Sequence, residues 1–245
     1  PPEAPYVTEA KDVFWPLVVA HQGGYLVRQS IGDDLTIRRI NGDGSQDLSY
    51  FEELGLEIGP ASIRKMHSNP DGTVIAFGRH FGNAANLSDS GDYGYLNQDL
   101  SAVLAPGVLV RLLPNGHLDP TFGPSTSTKN AFRSSDAAID VLFLDGGLVV
   151  FGDTVADFAG KSPRVWALTK YNIDGSINQS FGDNGFALTQ LGWQAKAEAI
   201  SIDSEGHIYA AGIVDEKLAL AKYSSDGWID EDFGHNGYLK TSIAG

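Results

Sequence analysis

The chain has 245 residues, 42% of them hydrophobic, and a formal net charge of −14, with 31 Asp and Glu against 17 Lys and Arg. That is enough apolar material for a substantial core, while the acidic balance disfavours nucleic-acid phosphate and anionic membrane as partners. The lack of cysteine excludes a disulfide framework, a thiolate nucleophile and a cysteine metal site, and no apolar run approaches the roughly 18 residues of a membrane span.

The opening Pro1-Pro2-Glu3-Ala4-Pro5 lacks the features of a signal peptide. Residues 1–12 read as a leader segment, in which Pro5 to Ala10 is expected to add a strand. A first repeat follows: Trp15 to Ala20, a turn at Gly23-Gly24, Tyr25 to Gln29, then Leu35 to Ile40. The second has Ile63 to His67, turn Asp71-Gly72, Thr73 to Gly78 and Val108 to Leu112. The third is the clearest: Ala138 to Leu144, turn Asp145-Gly146-Gly147, Leu148 to Gly152, Arg164 to Tyr171 and Phe186 to Thr189. The fourth repeats that order as Ala199 to Asp203, turn Glu205-Gly206, His207 to Ile213, Leu218 to Tyr223 and Tyr238 to Ile243. Short β-rich runs joined by Gly and Asp turns form antiparallel meanders, with strands A to D in each repeat.

A longer motif closes the repeats. Tyr171-Asn172-Ile173-Asp174-Gly175-Ser176 runs on to Phe181-Gly182, and Tyr223-Ser224-Ser225-Asp226-Gly227 runs on to Phe233-Gly234. Shorter copies are Asn115-Gly116 to Phe122-Gly123 and Asn41 to Asp47. Asp-Gly and Asn-Gly are turn dipeptides, and Asp47, Asp119, Asn178 and Asp230 can cap the loop by accepting backbone N–H bonds. Phe122, Phe181 and Phe233 are expected to wedge between sheets.

One four-stranded sheet leaves two edges and a face uncovered, and several sheets packed face to face around an axis solve this. The expected fold is therefore all-β: a β-propeller of four-stranded antiparallel blades, four of them recognisable. It is read as one domain over 13–245, with blades at about 13–58, 61–130, 136–190 and 197–243. A β-solenoid is the main competitor, disfavoured by the hairpin turns. Asp-Gly, an apolar strand ending in Gly, a strand ending in Tyr-Asn, and Asp174-Gly175-Ser176 through Phe181-Gly182 together resemble the delta-60 repeat, a family of bacterial β-propeller modules of uncharacterised function. The resemblance covers most of residues 13–243 and weakens in the first copy, where Leu48-Ser49-Tyr50-Phe51-Glu52-Glu53 replaces the Ser-Phe-Gly core. It carries over no active site.

The motif glycines serve as a ruler. From the A–B glycine to the C–D glycine there are 21 residues in the first repeat (Gly23 to Gly44), 44 in the second (Gly72 to Gly116), 29 in the third (Gly146 to Gly175) and 21 in the fourth (Gly206 to Gly227). The extra length lies between strands B and C, within Arg79 to Gly107 and within Asp153 to Arg164. Long loops on a rigid scaffold are where binding concentrates. The ligand-binding residues expected there are His80, Asn86, Asp89, Asp92, Tyr93, Tyr95, Asp99, Asp157, Phe158 and Arg164. The Tyr, Ser, Gly and Asn content of the longer insert suits an adaptable contact surface.

The function expected is non-enzymatic recognition of a protein or glycan through the B–C loops of blades two and three. One alternative is a carbohydrate-active hydrolase or lyase using Asp or Glu on the same face, and another is a structural spacer in a larger bacterial surface protein. The expected location is secreted, periplasmic or cell-surface in a bacterium. No catalytic or metal residue is assigned: none of the six histidines falls in a metal spacing, and nucleophile elbow, P-loop and dinucleotide motifs are absent. No cofactor is expected. Calcium is the one ion considered, because Asn41-x-Asp43-Gly44-x-x-Asp47 supplies closely spaced oxygens, but no copy has the full calcium-loop spacing.

Overall fold

The computed structural model describes residues 17–31, 34–50, 61–80, 103–104, 107–122, 137–144, 146–156 and 161–242. The strand expected at Pro5–Ala10 lies outside them. Among the described residues there is no helix. The strands are β1 (Leu17–His21), β2 (Gly24–Ile31), β3 (Asp34–Ile40), β4 (Ala61–Ser68), β5 (Val74–His80), β6 (Val103–Leu104), β7 (Gly107–Leu112), β8 (Ala137–Leu144), β9 (Gly147–Val155), β10 (Arg164–Asn172), β11 (Phe186–Thr189), β12 (Ala195–Ile202), β13 (Ile208–Val214), β14 (Lys217–Tyr223) and β15 (Tyr238–Ser242). They form four antiparallel sheets ordered β1-β2-β3, β4-β5-β7-β6, β11-β10-β9-β8 and β12-β13-β14-β15. All-β sheets of three or four antiparallel strands are consistent with the blades of a β-propeller.

The sheets are not all alike. The first has three described strands. In the second, the strand beyond β7 is β6, which precedes β7 in the chain and pairs with it as Val103↔Val108 and Leu104↔Gly107. That strand comes from the end of the B–C insertion, where sequence reading had placed only loop.

The chain divides into two compact units, Pro1–Asp99 with Val110–Asp119, and Leu100–Leu109 with Pro120–Gly245. In the first, Leu26, Ile37, Ile63, Val74 and Phe77 are buried. In the second, the face of β9 and β10 carrying Val149, Phe151, Trp166 and Leu168 packs against the small residues Ala195, Ala197, Ala210, Ala219 and Ala221 of the following sheet. Phe151 and Trp166 meet edge to face, with centroids 5.5 Å apart. Each such aromatic removes about 150–250 Å² from water, worth roughly 4–6 kcal/mol at 25 cal/mol/Å².

Three of the four A strands carry a β-bulge near their start, between Ile63 and Lys65 in β4, Ala138 and Asp140 in β8, and Ala197 and Ala199 in β12, whereas the described register of β1 is unbroken. The residue opposite the bulge on strand B is always glycine, namely Gly78, Gly152 and Gly212. At Gly212 the reason is visible: an added Cβ would stand 2.1 Å from the Lys196 carbonyl oxygen and 3.0 Å from Trp166. The glycine within each of these three B strands therefore makes room for the bulge.

Bulges free backbone groups, and charged side chains of the preceding sheet take them up. Asp140 and Asp153 accept the N–H groups of Ile200 and Ala197 at 3.1 and 3.0 Å. In the first unit the buried Arg28 guanidinium donates to the Ile63 carbonyl at 2.8 Å. Desolvation lowers the Arg28 pKa from its ordinary value.

The closing motif behaves as a capped turn. Asp43 and Asp174 each accept the N–H and hydroxyl of the Ser two residues on, and Asp71 in the A–B turn of the second repeat does the same with Thr73. Asp47, Asn178 and Asp230 accept the N–H two residues on in the same way. A cation eight residues earlier on strand C pairs with each acid: Arg39 with Asp47, Arg111 with Asp119 at 2.7 Å, Lys222 with Asp230 at 2.8 Å. Where the acid is replaced by Asn178, Lys170 lies over the Phe181 ring instead, 5.7 Å from its centroid. These bonds occupy the oxygens on which the calcium reading rested. No group of three or more His, Asp or Glu among the described residues is placed to hold a metal ion.

Phe122 and Phe181 are buried, Phe181 against the Asp226-Gly227 turn of the next repeat, whereas Phe233 is only half-buried. The first copy has an aromatic residue at this position too: Tyr50, three residues after Asp47, is buried, and its N–H donates to the Asp47 carbonyl as Phe181 does to Asn178. The apparent departure of the first copy is thus a Tyr-for-Phe exchange in one seat.

Candidate functional site

The best-defined surface feature of the second unit lies where β11 passes to β12, beside the B–C ends of the third and fourth sheets. Trp193 stands there, 52% exposed. Its backbone is held at both ends: the N–H donates to Asp215 Oδ1 at 2.9 Å, and the carbonyl accepts from the Arg164 N–H at 3.1 Å. The Gln194 N–H donates to the same Asp215 oxygen at 3.0 Å, and the Gln194 carbonyl accepts the Asp215 N–H at 2.9 Å. Gly192 permits this approach, since a Cβ there would stand 2.0 Å from Asp215 Oδ2.

Asp215 owes its position to a strained turn. The hairpin joining β13 to β14 places Asp215 and Glu216 at φ of 49° and 64°. Both central residues of a two-residue hairpin of this hand need positive φ, and Glu is a poor choice for it. Hydrogen bonds from the Gln194 and Trp193 N–H groups, with Lys240 Nζ 3.5 Å away, hold the Asp215 pKa below the ordinary carboxylate value, against the desolvation that raises it.

Beneath the tryptophan loop the buried Asp153 carboxylate bridges two groups, with Oδ1 paired to the Arg164 guanidinium and Oδ2 accepting the Ala197 N–H. Arg164, the one expected ligand residue whose side chain is described, is thus brought to this end, with its guanidinium tied to Asp153 and its N–H to Trp193. His80 ends β5 and its backbone pairs with Ala61. Asn86, Asp89, Asp92, Tyr93, Tyr95, Asp99, Asp157 and Phe158 lie outside the described residues. Sequence reading missed Trp193 and Asp215, because neither sits in an insertion; the one available signal was an unpatterned Gly-Trp between two strands.

A second polar cluster lies at the other end of the fourth sheet. Asp203 accepts from the Glu205 and His207 N–H groups, from the His207 ring at 3.0 Å and from the Tyr209 hydroxyl at 3.3 Å. These bonds build the turn that returns β12 into β13, a structural use of His207. No helix among the described residues is long and apolar enough to cross a membrane.

Comparison with known proteins adds a family match over a short span. The profile of a family described as a domain of unknown function (DUF5122) beta-propeller matches residues 107–122, which hold β7 and the second closing motif. No curated protein matches the sequence. Among solved structures, the polysaccharide lyase Uly1 is similar at 13% identity and a TM-score of 0.40, over 94% of this chain and 49% of that one. The chain spans about half the length of that lyase. An exo-1,5-alpha-L-arabinanase from a bovine ruminal metagenomic library is similar at 12% identity and a TM-score of 0.32, over 94% of this chain and 96% of that one.

Proposed function

We propose that this chain is a β-propeller module of the delta-60 type that recognises a glycan, without turning it over, on the face bearing the B–C loops. The observation that carries the reading is Trp193: a half-exposed indole on a backbone pinned at N–H, carbonyl and neighbouring N–H. An indole face attracts the C–H groups of a sugar ring through its negative π quadrupole. A platform held rigid before binding loses little conformational freedom when the ligand arrives. The net charge of −14 supports neutral glycans over acidic ones.

The carboxylates described on this face support binding over proton transfer. Asp153 is committed to Arg164 and Ala197, and Asp215 to Trp193, Gln194 and Lys240. Affinity electrophoresis through gels of neutral and acidic polysaccharides tests the reading. Retardation by a neutral polysaccharide that is lost in Trp193→Ala, with an unchanged melting transition, supports it. Equal migration of both proteins in every gel, or release of reducing or unsaturated sugar ends, rejects it.

A further inference from the structure

Three of the four closing motifs share one cap. Asp43, Asn115 and Asp174 each accept the backbone N–H two residues on, from Ser45 at 2.9 Å, His117 at 3.3 Å and Ser176 at 2.9 Å. In the fourth motif Trp228 stands at that position, and its N–H donates to Ser224 Oγ at 3.2 Å instead. Among the described residues the Asp226 carboxylate has neither a hydrogen bond nor an ion pair. The exchange thus releases a carboxylate and places an indole two residues from it.

Trp228 is 60% exposed, and Asp226 is exposed as well. The turn that carries them is fixed within the second unit: the Gly182 N–H donates to the Asp226 carbonyl at 2.7 Å, and Gly227 packs on the Phe181 ring. The Trp228 carbonyl accepts the Ser224 N–H at 2.7 Å, so the indole hangs from backbone pinned at both of its polar groups. The turn itself does not call for an indole, since serine holds this position in the first and third copies. An indole left in water also forgoes the burial that stabilises Tyr223 and Phe181 nearby. Strand β14 spans seven residues between Asp215 and this turn, so Trp228 lies about 20 Å from the Trp193 platform, at the other end of the fourth sheet.

An indole face attracts cations through its π quadrupole, more strongly than the other aromatic side chains do, and an unpaired carboxylate adds an opposite charge. A chain with a net charge of −14 draws cations toward its surface. One carboxylate offers a metal ion too few ligands, and the described residues hold no cluster for one. We propose that Trp228 and Asp226 form a site for an organic cation of the kind a lysine or arginine side chain carries, distinct from the glycan surface at Trp193. The cationic head lies over the indole and pairs with the carboxylate, and the pinned turn holds the ring in place before the ligand arrives.

Indole N–H signals of the isotope-labelled whole chain test this, the Trp228 signal being identified by its loss in Trp228→Ser. Nα-acetyl-lysinamide or Nα-acetyl-argininamide is expected to shift that signal saturably, and the uncharged Nα-acetyl-norleucinamide to leave it in place. The tighter of the two cations identifies the side chain the site suits. Asp226→Asn keeps a turn dipeptide that already serves at Asn115-Gly116 and is expected to weaken binding about two- to fivefold. Trp228→Ser rebuilds the cap of Asp174-Gly175-Ser176 and is expected to melt no lower than the wild type. Trp193→Ala is expected to leave the cation response unchanged, which keeps this site apart from the glycan reading. A Trp228 signal that neither cation moves, an equal response to the norleucine probe, binding unchanged in Asp226→Asn, or a lower melting temperature in Trp228→Ser overturns the proposal.

Discussion

Phe181 closes on Gly227 so tightly that a single Cβ on that glycine would stand 2.6 Å from the ring. The same glycine has a φ of +86°. Gly227→Ala therefore meets two penalties, a left-handed backbone and an overfilled seat, and is expected to destabilise by about 2–4 kcal/mol. Gly44 has the same φ with open space around it, so Gly44→Ala meets the backbone penalty alone, about 1–2 kcal/mol. Urea unfolding of both variants separates the two effects; equal losses would mean that the wedge contributes nothing.

Asp153 is buried and serves two partners on different strands. Asp153→Ala leaves the Ala197 N–H without its acceptor and the Arg164 guanidinium without its partner, an expected loss of about 2–4 kcal/mol. Asp153→Asn keeps an acceptor for Ala197 and is expected to lose less. Chemical denaturation in the same buffer ranks them, and the reverse order would show that the bond to the Ala197 N–H contributes little to stability.

His21 makes the first unit acid-sensitive. It is buried, its Nδ1 lies 2.8 Å from Ser68 Oγ, and its Nε2 has no hydrogen-bond partner among the described residues. Desolvation, then the charge of Arg39, lowers its pKa below the ordinary 6.5. The unfolded chain therefore binds the proton more readily than the folded one, so this contribution is present above pH 6.5 and is lost as the pH falls below that value. His21→Gln is expected to flatten the stability profile between pH 6.5 and about 5, where few carboxylates titrate. Melting curves across that window decide it; parallel profiles for both proteins would assign the acid sensitivity elsewhere.

Asp215 acts on the candidate site as a positioning residue. Asp215→Ala removes the acceptor shared by the Trp193 and Gln194 N–H groups and is expected to weaken glycan retention while Trp193 remains. Because the residue is at a φ of 49° and accepts two backbone N–H groups, the same change is expected to cost about 1–2 kcal/mol of stability as well. Full retention of binding in this variant would mean that the indole needs no fixed backbone.

The long B–C insertion is tested by deletion. Removing Asn83–Asn97 is expected to abolish ligand binding and leave the melting transition largely intact. Binding that survives the deletion would confine recognition to the Trp193 surface.

Much of the scaffold was legible from residues alone. Gly23-Gly24, Asp71-Gly72 and Glu205-Gly206 marked hairpins because their backbones need positive φ or no side chain, and the strands on either side fall within a few residues of expectation. Asp174 and Asn178 were readable as caps for the same local reason. The bulges are not readable from residues alone: the repeat places a strand at Ala199 to Asp203, whereas the strand begins at Ala195, before the register shift between Ala197 and Ala199. Tyr50 was passed over because the motif looked broken, although an aromatic ring three residues after Asp47 fits the same seat.

By itself the sequence determined the repeat: which segments are strands, where the chain turns, and where the copies differ in length. Those are local matters, set by steric limits on φ and by side chains bonding to nearby backbone. Only the tertiary structure decided what the repeat does between sheets. It put Asp153 against Ala197, 44 residues away, Phe181 against Gly227, and Asp215 beneath Trp193, 22 residues away. These pairings depend on how one twisted sheet lies over the next, and side-chain spacing along a single strand carries no record of that.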